Sequence, residues 1–116
     1  MTTAVIGATG RVGREIVRGL LERGGEVAAL VRDPDKARRS FGEPGGLHVR
    51  PTRLDDPHEL AQALGGVRTV FIAMGSIEVE GVLQRIAMNA AARVSSIAQV
   101  TRLSVLSAAA DSLGIN

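Results

Sequence analysis

Three glycines at a spacing of three residues make the stretch GATGRVG, residues 7–13, the clearest candidate for chemistry in this chain. An apolar run at residues 4–6 precedes it and an amphipathic helical pattern follows it, the context in which such glycines bind phosphate. Gly7 permits a sharp exit from a strand, Gly10 leaves space for a pyrophosphate, and Gly13 lets the helix approach the sheet. The stretch therefore predicts a phosphate-binding loop, and the alternative is a tight turn with no ligand.

The start of the following helix supplies the rest of this candidate loop. A helix N-terminus offers unpaired N–H groups and a partial positive charge to an anion. Arg11 and Val12 lie in this first turn, and the Thr9 hydroxyl just before it could add one more hydrogen bond. These residues join the three glycines as predicted ligands of a dinucleotide pyrophosphate.

Two basic residues follow the second predicted strand, where the choice between NAD and NADP is made. An acidic side chain at this point binds the adenosine ribose of NAD, whereas an arginine accepts the 2′-phosphate of NADP. Arg32 comes directly after the strand and Lys36 one helical turn later, so together they predict NADP. Asp33 could instead reach the ribose, which keeps NAD open. In the plainest alternative, Arg32 is solvated and Asp33 only caps a helix.

Short apolar runs alternate with helical patterns along the whole chain, which predicts a parallel sheet with right-handed crossovers. The apolar runs are continuous, as in parallel strands that are buried on both faces. The predicted strands are residues 3–6, 27–31, 47–49, 70–73 and 103–107. The predicted helices are 11–23, 34–41, a short one from 57 to about 64, and one of about 79–94.

These elements predict an α/β fold: a doubly wound parallel sheet of five strands in the order 3-2-1-4-5, with helices on both faces. An eight-stranded barrel would need roughly 200 residues or more. Ligands of doubly wound sheets bind at the carboxyl ends of the strands, where the strand order reverses. Gly75, after the fourth strand, therefore becomes a further candidate for cofactor contact, and a plain turn is its alternative.

Finer features of three helices can also be predicted. Asp33 and Asp56 each precede a proline and are expected to cap a helix, with Glu59 completing a capping box. In the last helix the apolar spacing predicts five side chains that face the core: Val82, Leu83, Ile86, Ala90 and Val94.

Composition excludes several classes of function. The net charge is only +2, and the arginines are spread along the chain, which argues against a nucleic-acid partner. Without cysteine there is no disulfide or thiolate metal site, which fits a cytoplasmic protein, and no carboxylate or histidine spacing suggests a metal. No apolar run approaches the roughly 20 residues that cross a membrane.

The GATGxxG spacing resembles that of the atypical short-chain dehydrogenase/reductase family, especially its NmrA-like members. The resemblance continues through residues 27–36, 54–57, 70–72 and 103–109, and so covers nearly the whole chain. It implies a Rossmann fold that binds NAD(P), and an arginine at the position of Arg32 favours NADP in this family. The chain departs from the family after the third strand, where residues 52–54 read Thr-Arg-Leu instead of Gly-Asp-Leu. That departure puts an acidic contact near the adenine in doubt.

The resemblance leaves the activity open between two functions. Short-chain dehydrogenases generally use a tyrosine and a lysine four residues later, but this chain has no tyrosine, and Lys36 is its one lysine. Ser107 resembles the family's active-site serine, and its alternative role is a strand-end hydroxyl satisfied by backbone. The chain is therefore predicted to be either an NADP-dependent oxidoreductase without the usual pair or a non-catalytic sensor that acts through a protein partner.

Length predicts one domain over residues 1–116. Members of the family continue past the fifth strand into a substrate-binding part, which this chain is expected to lack, so its small-molecule substrate stays unnamed. The fifth strand would then be an apolar edge, and such edges pair with other chains. A homodimer or a missing downstream partner at that edge is accordingly expected.

Overall fold

A computed structural model describes residues 2–73 and 77–102, in which five strands alternate with four helices. The strands are β1 (Thr2–Ile6), β2 (Glu26–Val31), β3 (Leu47–Pro51), β4 (Val67–Ile72) and β5 (Gln99–Arg102). The helices are α1 (Arg11–Glu22), α2 (Pro34–Phe41), α3 (Pro57–Ala63) and α4 (Ile77–Ala92). The bounds of the helices lie within two residues of their predicted positions.

The strands form one parallel sheet in the order β3-β2-β1-β4-β5, which confirms the predicted doubly wound topology. β1 is the central strand, paired with β2 on one side and β4 on the other. The strand order reverses between β1 and β4, so the loops after these two strands diverge to opposite faces. The crevice between the loops is where this fold class binds ligands.

Two hydrophobic clusters show that the helices cover both faces of the sheet. Along β1, Val5 points into one cluster and Ile6 into the other, as the alternation of side chains in a strand requires. The cluster around Val5 contains the buried side chains of α1 and α2, and the cluster around Ile6 contains those of α3 and α4. The buried side chains are mostly valine, leucine, isoleucine and alanine.

The fifth strand differs from the prediction. β5 occupies Gln99–Arg102, paired with β4 from Thr69 to Ile72, whereas the sequence predicted residues 103–107, which lie outside the described residues. Three of the four residues in the stretch QVTR are polar, so hydrophobicity alone did not reveal it. Parallel pairing with the edge of β4 makes it a strand.

Among the described side chains of helix α4, the fully or nearly fully buried ones are three alanines: Ala87, Ala90 and Ala91. The side chain of Leu83, also predicted to face the core, lies outside the described part of the structure. Ile86 and Val94 pack against the same cluster from partly buried positions, as predicted. Val82, by contrast, is 57% exposed, so its predicted inward orientation is wrong. Val82 is one turn before Ile86, so its spacing suits the core face, and its exposure shows that this face is not covered at the level of Val82.

Candidate functional site

The glycine stretch begins with a turn at the carboxyl end of β1. Gly7 has a φ of 83°, a left-handed conformation that a side chain would strain. Its N–H donates to the carbonyl of Leu30 at 3.3 Å, and its own carbonyl accepts from the N–H of Gly10 at 3.1 Å. The turn is therefore level with the end of β2, and it reverses the chain directly into α1.

Gly13 is required by packing within the described structure. A Cβ atom built on it would lie 2.1 Å from the carbonyl oxygen of Gly7 and 2.9 Å from the Cα of Ala8. Real Cβ atoms do not approach backbone so closely, so even alanine would push α1 away from the turn. The first turn of the helix therefore rests on the loop itself, as the sequence predicted for the third glycine.

Gly10 lies at the reversal of strand order. A Cβ atom on this residue would lie 3.3 Å from the carbonyl oxygen of Gly7 and 3.9 Å from that of Ala73, the residue after β4. The loop after β1 and the end of β4 therefore meet at Gly10. A side chain would project where the two loops diverge, which is the space that a bound phosphate needs in this fold class.

The N-terminus of α1 has backbone donors with no partner in the described residues. Gly10 is its N-cap, no side chain caps it, and no acidic residue lies in its first turn. The first hydrogen bond runs from the N–H of Arg14 to the carbonyl of Gly10 at 2.9 Å, which leaves the N–H groups of Arg11, Val12 and Gly13 without a described acceptor. These donors and the positive end of the helix dipole are suited to an anion.

The predicted NADP-selecting residues follow β2 at the same edge of the sheet. Arg32 and Lys36 are exposed, and neither forms an ion pair with a residue that the structure describes. Asp33 caps α2 as predicted, because its carboxylate accepts from the N–H groups of Asp35 at 3.0 Å and Lys36 at 3.3 Å. One carboxylate oxygen of Asp33 is thus engaged in this cap, while the side chains of Arg32 and Lys36 are exposed.

The segment after β3 carries the departure from the family pattern. Thr52 is buried, its N–H donates to the carbonyl of Val31 at 2.8 Å, and its hydroxyl donates to that of Arg50 at 2.8 Å. It therefore connects the ends of β2 and β3. Arg53 is exposed, with its Nε 3.5 Å from a carboxylate oxygen of Asp55.

The capping box predicted for α3 is wrong in part. Asp56 does cap the helix, accepting from the N–H groups of His58 at 3.0 Å and Glu59 at 3.2 Å. Glu59, however, accepts from the N–H of Arg53 at 2.9 Å instead of from the N–H of the cap residue. The glutamate thus holds the segment after β3 against the start of α3.

One residue beside the glycine loop was missed by the sequence reading. Arg14 is half-buried on α1, and its Nε atom is buried without a hydrogen-bond partner. Helical periodicity alone placed Arg14 on the solvated face, and the signal that could have singled it out is its position directly after Gly13. Buried donors are rarely left unpaired in proteins, so this atom calls for a specific explanation.

Two predicted site residues, Gly75 and Ser107, lie outside the described residues. Within residues 2–73 and 77–102, no cluster of three or more histidine or acidic side chains could hold a metal ion. In that same part of the chain, no helix combines the length and the apolar character needed to cross a membrane.

Comparison with known proteins shows the family to which the chain belongs. The family model described as NAD(P)H-binding matches residues 7–113, which is nearly the whole chain and includes every glycine of the loop. The chain belongs to this NAD(P)H-binding family. The match confirms the NAD(P)-binding Rossmann portion that the GATGxxG spacing led us to expect.

Individual proteins similar to this chain extend the comparison. The chain is 35% identical over 108 residues to an NAD(P)H azoreductase of Xenophilus azovorans, covering 93% of this chain and 37% of the relative. It is also 35% identical over 118 residues to the photosystem II assembly factor Ycf39 of Guillardia theta, covering 93% of this chain and 36% of that protein. The chain thus spans little more than a third of the length of these two relatives.

Among solved structures, the NADPH-dependent quinone oxidoreductase QOR2 of Escherichia coli, in complex with NADPH, is similar to the NAD(P)H-binding domain described here. The TM-score is 0.69 at 29% identity, over 84% of this chain and 35% of that chain. The cofactor class of this domain is accordingly a nicotinamide dinucleotide.

Proposed function

We propose that this chain is the NADP-binding Rossmann portion of an NmrA-like oxidoreductase. The observation that carries the proposal is the N-terminus of α1, which has no side-chain cap, no acidic residue in its first turn and a glycine at the N-cap position. A diphosphate fits there because the free N–H groups and the helix dipole complement its charge. The membership in the NAD(P)H-binding family supports the same ligand.

The residues of the glycine loop bind the pyrophosphate of the dinucleotide in this proposal. The N–H groups of Arg11, Val12 and Gly13 bind the pyrophosphate, and the Thr9 hydroxyl adds a hydrogen bond to it. Gly10 keeps the approach open, because a Cβ atom there would meet Gly7 at 3.3 Å and project toward the ligand.

In this proposal, the residues that follow β2 select NADP over NAD. Arg32 provides a planar fork and Lys36 a point charge for the 2′-phosphate. Both side chains are exposed, and no ion pair with the described residues engages them. The Asp33 carboxylate, which could otherwise bind a ribose hydroxyl, is engaged in capping α2.

The dinucleotide supplies the hydride chemistry when it is bound, and the chain binds and orients it. The usual tyrosine–lysine pair is not present in this sequence. Protonation of a substrate would therefore depend on another donor, for which Ser107 remains a prediction, while Gly75 after β4 remains a predicted cofactor contact. An aromatic acceptor such as an azo dye or a quinone is the substrate class that the names of the azoreductase and the quinone oxidoreductase suggest.

Calorimetric titration of the purified chain with NADPH and NADH tests the choice of cofactor. We expect the wild type to bind NADPH more tightly than NADH. In Arg32→Ala the ratio of NADPH to NADH affinity should fall by roughly tenfold, because one hydrogen bond to a charged group is lost. Arg39→Ala is the matched control, since Arg39 is an exposed arginine of α2 farther along the helix. Equal affinity for both dinucleotides, or tighter NADPH binding in Arg32→Ala than in the wild type, would contradict NADP selection.

Oxidation of NADPH tests the activity itself. We expect the absorbance of NADPH to fall when an azo dye or a quinone is added to the chain. The control is the Gly10→Asp variant, in which the pyrophosphate site is occupied by a carboxylate. Tight binding of NADPH with no oxidation in the presence of either acceptor would instead support the sensor function that acts through a protein partner.

A further inference from the structure

Arg14 is the residue whose surroundings the proposed function does not yet explain. It lies in the second turn of α1, half-buried, with its Nε atom enclosed and without a hydrogen-bond partner. Among the residues that the structure describes, this Nε is the one buried side-chain nitrogen or oxygen atom that lacks a hydrogen-bond partner. Such exceptions call for a ligand or another specific cause.

The contacts of α1 show which way this arginine faces. Residues 14, 18 and 21 lie along one flank of a helix, because they are four and three positions apart. Arg18 donates from Nη2 to the carbonyl of Ser40 near the end of α2, at 3.5 Å. The Cδ2 atom of Leu21 lies 3.7 Å from where a Cβ of Gly46 would stand, just before β3. The flank of Arg14 therefore faces α2.

The start of α2 lies level with Arg14. Both helices connect consecutive parallel strands on the same face of the sheet, so they run in the same direction. Arg14 lies four residues before Arg18 in α1, and Lys36 lies four residues before Ser40 in α2. Four residues of helix span about 6 Å, so both lie about 6 Å nearer the carboxyl edge of the sheet than the contact between Arg18 and Ser40. Arg14 thus lies on the side of the crevice that Lys36 and Arg32 border.

The carboxylates of this region are engaged elsewhere. The Oδ1 atom of Asp33 accepts from two backbone N–H groups at the start of α2, and Asp35 pairs with Arg38 at 3.0 Å. None of the three cations Arg14, Arg32 and Lys36 forms an ion pair with a described residue. Three positive side chains without a described carboxylate partner are suited to a dianionic ligand.

We propose that Arg14 is a specificity-determining residue, and that with Arg32 and Lys36 it binds the 2′-phosphate of NADP. This inference rests on the proposed function, and it assigns the partly exposed guanidinium of Arg14 to a phosphate oxygen. The fork geometry of arginine suits this contact, since the guanidinium offers parallel N–H donors to phosphate oxygens.

Calorimetric titrations of the Arg14→Met variant with NADPH and NADH test the inference. Methionine keeps much of the apolar stem of arginine and removes its donors and charge. We expect the dissociation constant for NADPH to rise about tenfold or more, as for loss of a hydrogen bond to a charged group, and that for NADH to stay within about threefold. Arg18→Met is the matched control, one turn along the same flank, and should leave both constants unchanged.

The possible results separate the inference from the proposed function. If the wild type binds NADPH and Arg14→Met binds it equally well, the inference fails and the proposed function stands. The inference also fails if Arg14→Met weakens NADPH and NADH equally, because the side chain would then act on a part that the two share. If the wild type binds neither dinucleotide, the proposed function fails as well.

A second variant guards against a folding defect in Arg14→Met. Arg14→Lys keeps the charge and the apolar stem but loses the Nε donor and the fork. We expect a smaller, NADPH-specific loss, with a far-ultraviolet circular dichroism spectrum and a melting temperature like those of the wild type. A folded Arg14→Lys variant with an unchanged ratio of NADPH to NADH affinity would overturn the role of the Arg14 guanidinium.

Discussion

The structure describes the N-termini of three helices, α1, α2 and α3, which all begin at the carboxyl edge of the sheet. The N-terminus of α1 differs from the other two in how its N–H groups are satisfied. Helices α2 and α3 start with a capping aspartate, a proline and an acidic residue in the first turn. Helix α1 starts with Gly10, no side-chain cap and no acid. The chain therefore satisfies the donors of two helices with its own carboxylates and leaves those of the third for another anion.

The open end of α1 is stabilised by packing instead of by a cap. A cap is typically worth about 1 kcal/mol, and α1 forgoes it. In exchange, its first turn rests directly on the glycine turn, where a Cβ atom on Gly13 would lie 2.1 Å from the carbonyl oxygen of Gly7. The comparison shows that a helix end can be well ordered and still present free donors, provided that backbone packs against backbone.

The largest effect is expected where that packing is disturbed. Gly13→Ala should lower the free energy of unfolding by about 3 kcal/mol, because the methyl group overlaps backbone atoms that cannot move independently. Urea denaturation of the chain measures this change. Gly19→Ala is the control within the same helix: nothing lies within 4 Å of its Cβ position, and it should stabilise by about 0.5–1 kcal/mol. Equal midpoints for the two variants would contradict the packing role of Gly13.

The next effect tests the difference between α1 and its two neighbours directly. Gly10→Asp gives α1 the cap that α2 and α3 have, so its carboxylate should compete with the pyrophosphate. We expect NADPH affinity to fall at least about 100-fold, which is about 2.7 kcal/mol, while the free energy of unfolding changes by no more than about 1 kcal/mol. Titration calorimetry and thermal melting measure the two quantities.

The control for this substitution is Gly10→Ala. It adds a methyl group 3.3 Å from the carbonyl oxygen of Gly7 without adding charge, and so separates the steric part of the loss from the electrostatic part. NADPH binding by a folded Gly10→Asp variant at the strength of the wild type would show that the N-terminus of α1 is not the pyrophosphate site.

The smallest effect concerns a capped helix that the ligand does not touch. Asp56→Ala should cost about 1 kcal/mol of stability, because two N–H groups of α3 lose their acceptor. NADPH affinity should be unchanged. Asp55→Ala is the adjacent control, since Asp55 is exposed and pairs with Arg53 at 3.5 Å, and its loss should stay within about 0.5 kcal/mol. Equal losses in chemical denaturation would argue against the cap.

Much of the fold could be predicted because its signals are local. Continuous apolar runs identify buried parallel strands such as β2, and the Asp-Pro pairs at the starts of α2 and α3 mark helix N-termini. The predicted strand order is that of a doubly wound sheet whose phosphate-binding loop follows the first strand, and it is confirmed. The structural roles of the glycines in the loop were predictable for the same reason, because they depend on residues close in sequence.

The errors arose where partners are distant in sequence. Three of the four residues of β5 are polar, and it becomes a strand through pairing with β4. Val82 was expected to face the core because of its helical spacing, but it is exposed. Glu59 had the spacing of a capping box, yet it accepts a hydrogen bond from Arg53, six residues away. None of these outcomes can be derived from periodicity within a single element.

The sequence by itself determined the class of fold, the order of its strands and the position of a phosphate-binding loop, because glycine spacing, caps and apolar runs act over a few residues. Tertiary structure alone decided that Gly10 lies beside Ala73 at the reversal of strand order, and that α1 and α2 pack with Arg18 against Ser40. It also enclosed the Nε atom of Arg14 without a partner. These features depend on backbones that meet only when the sheet assembles, so no local pattern could specify them.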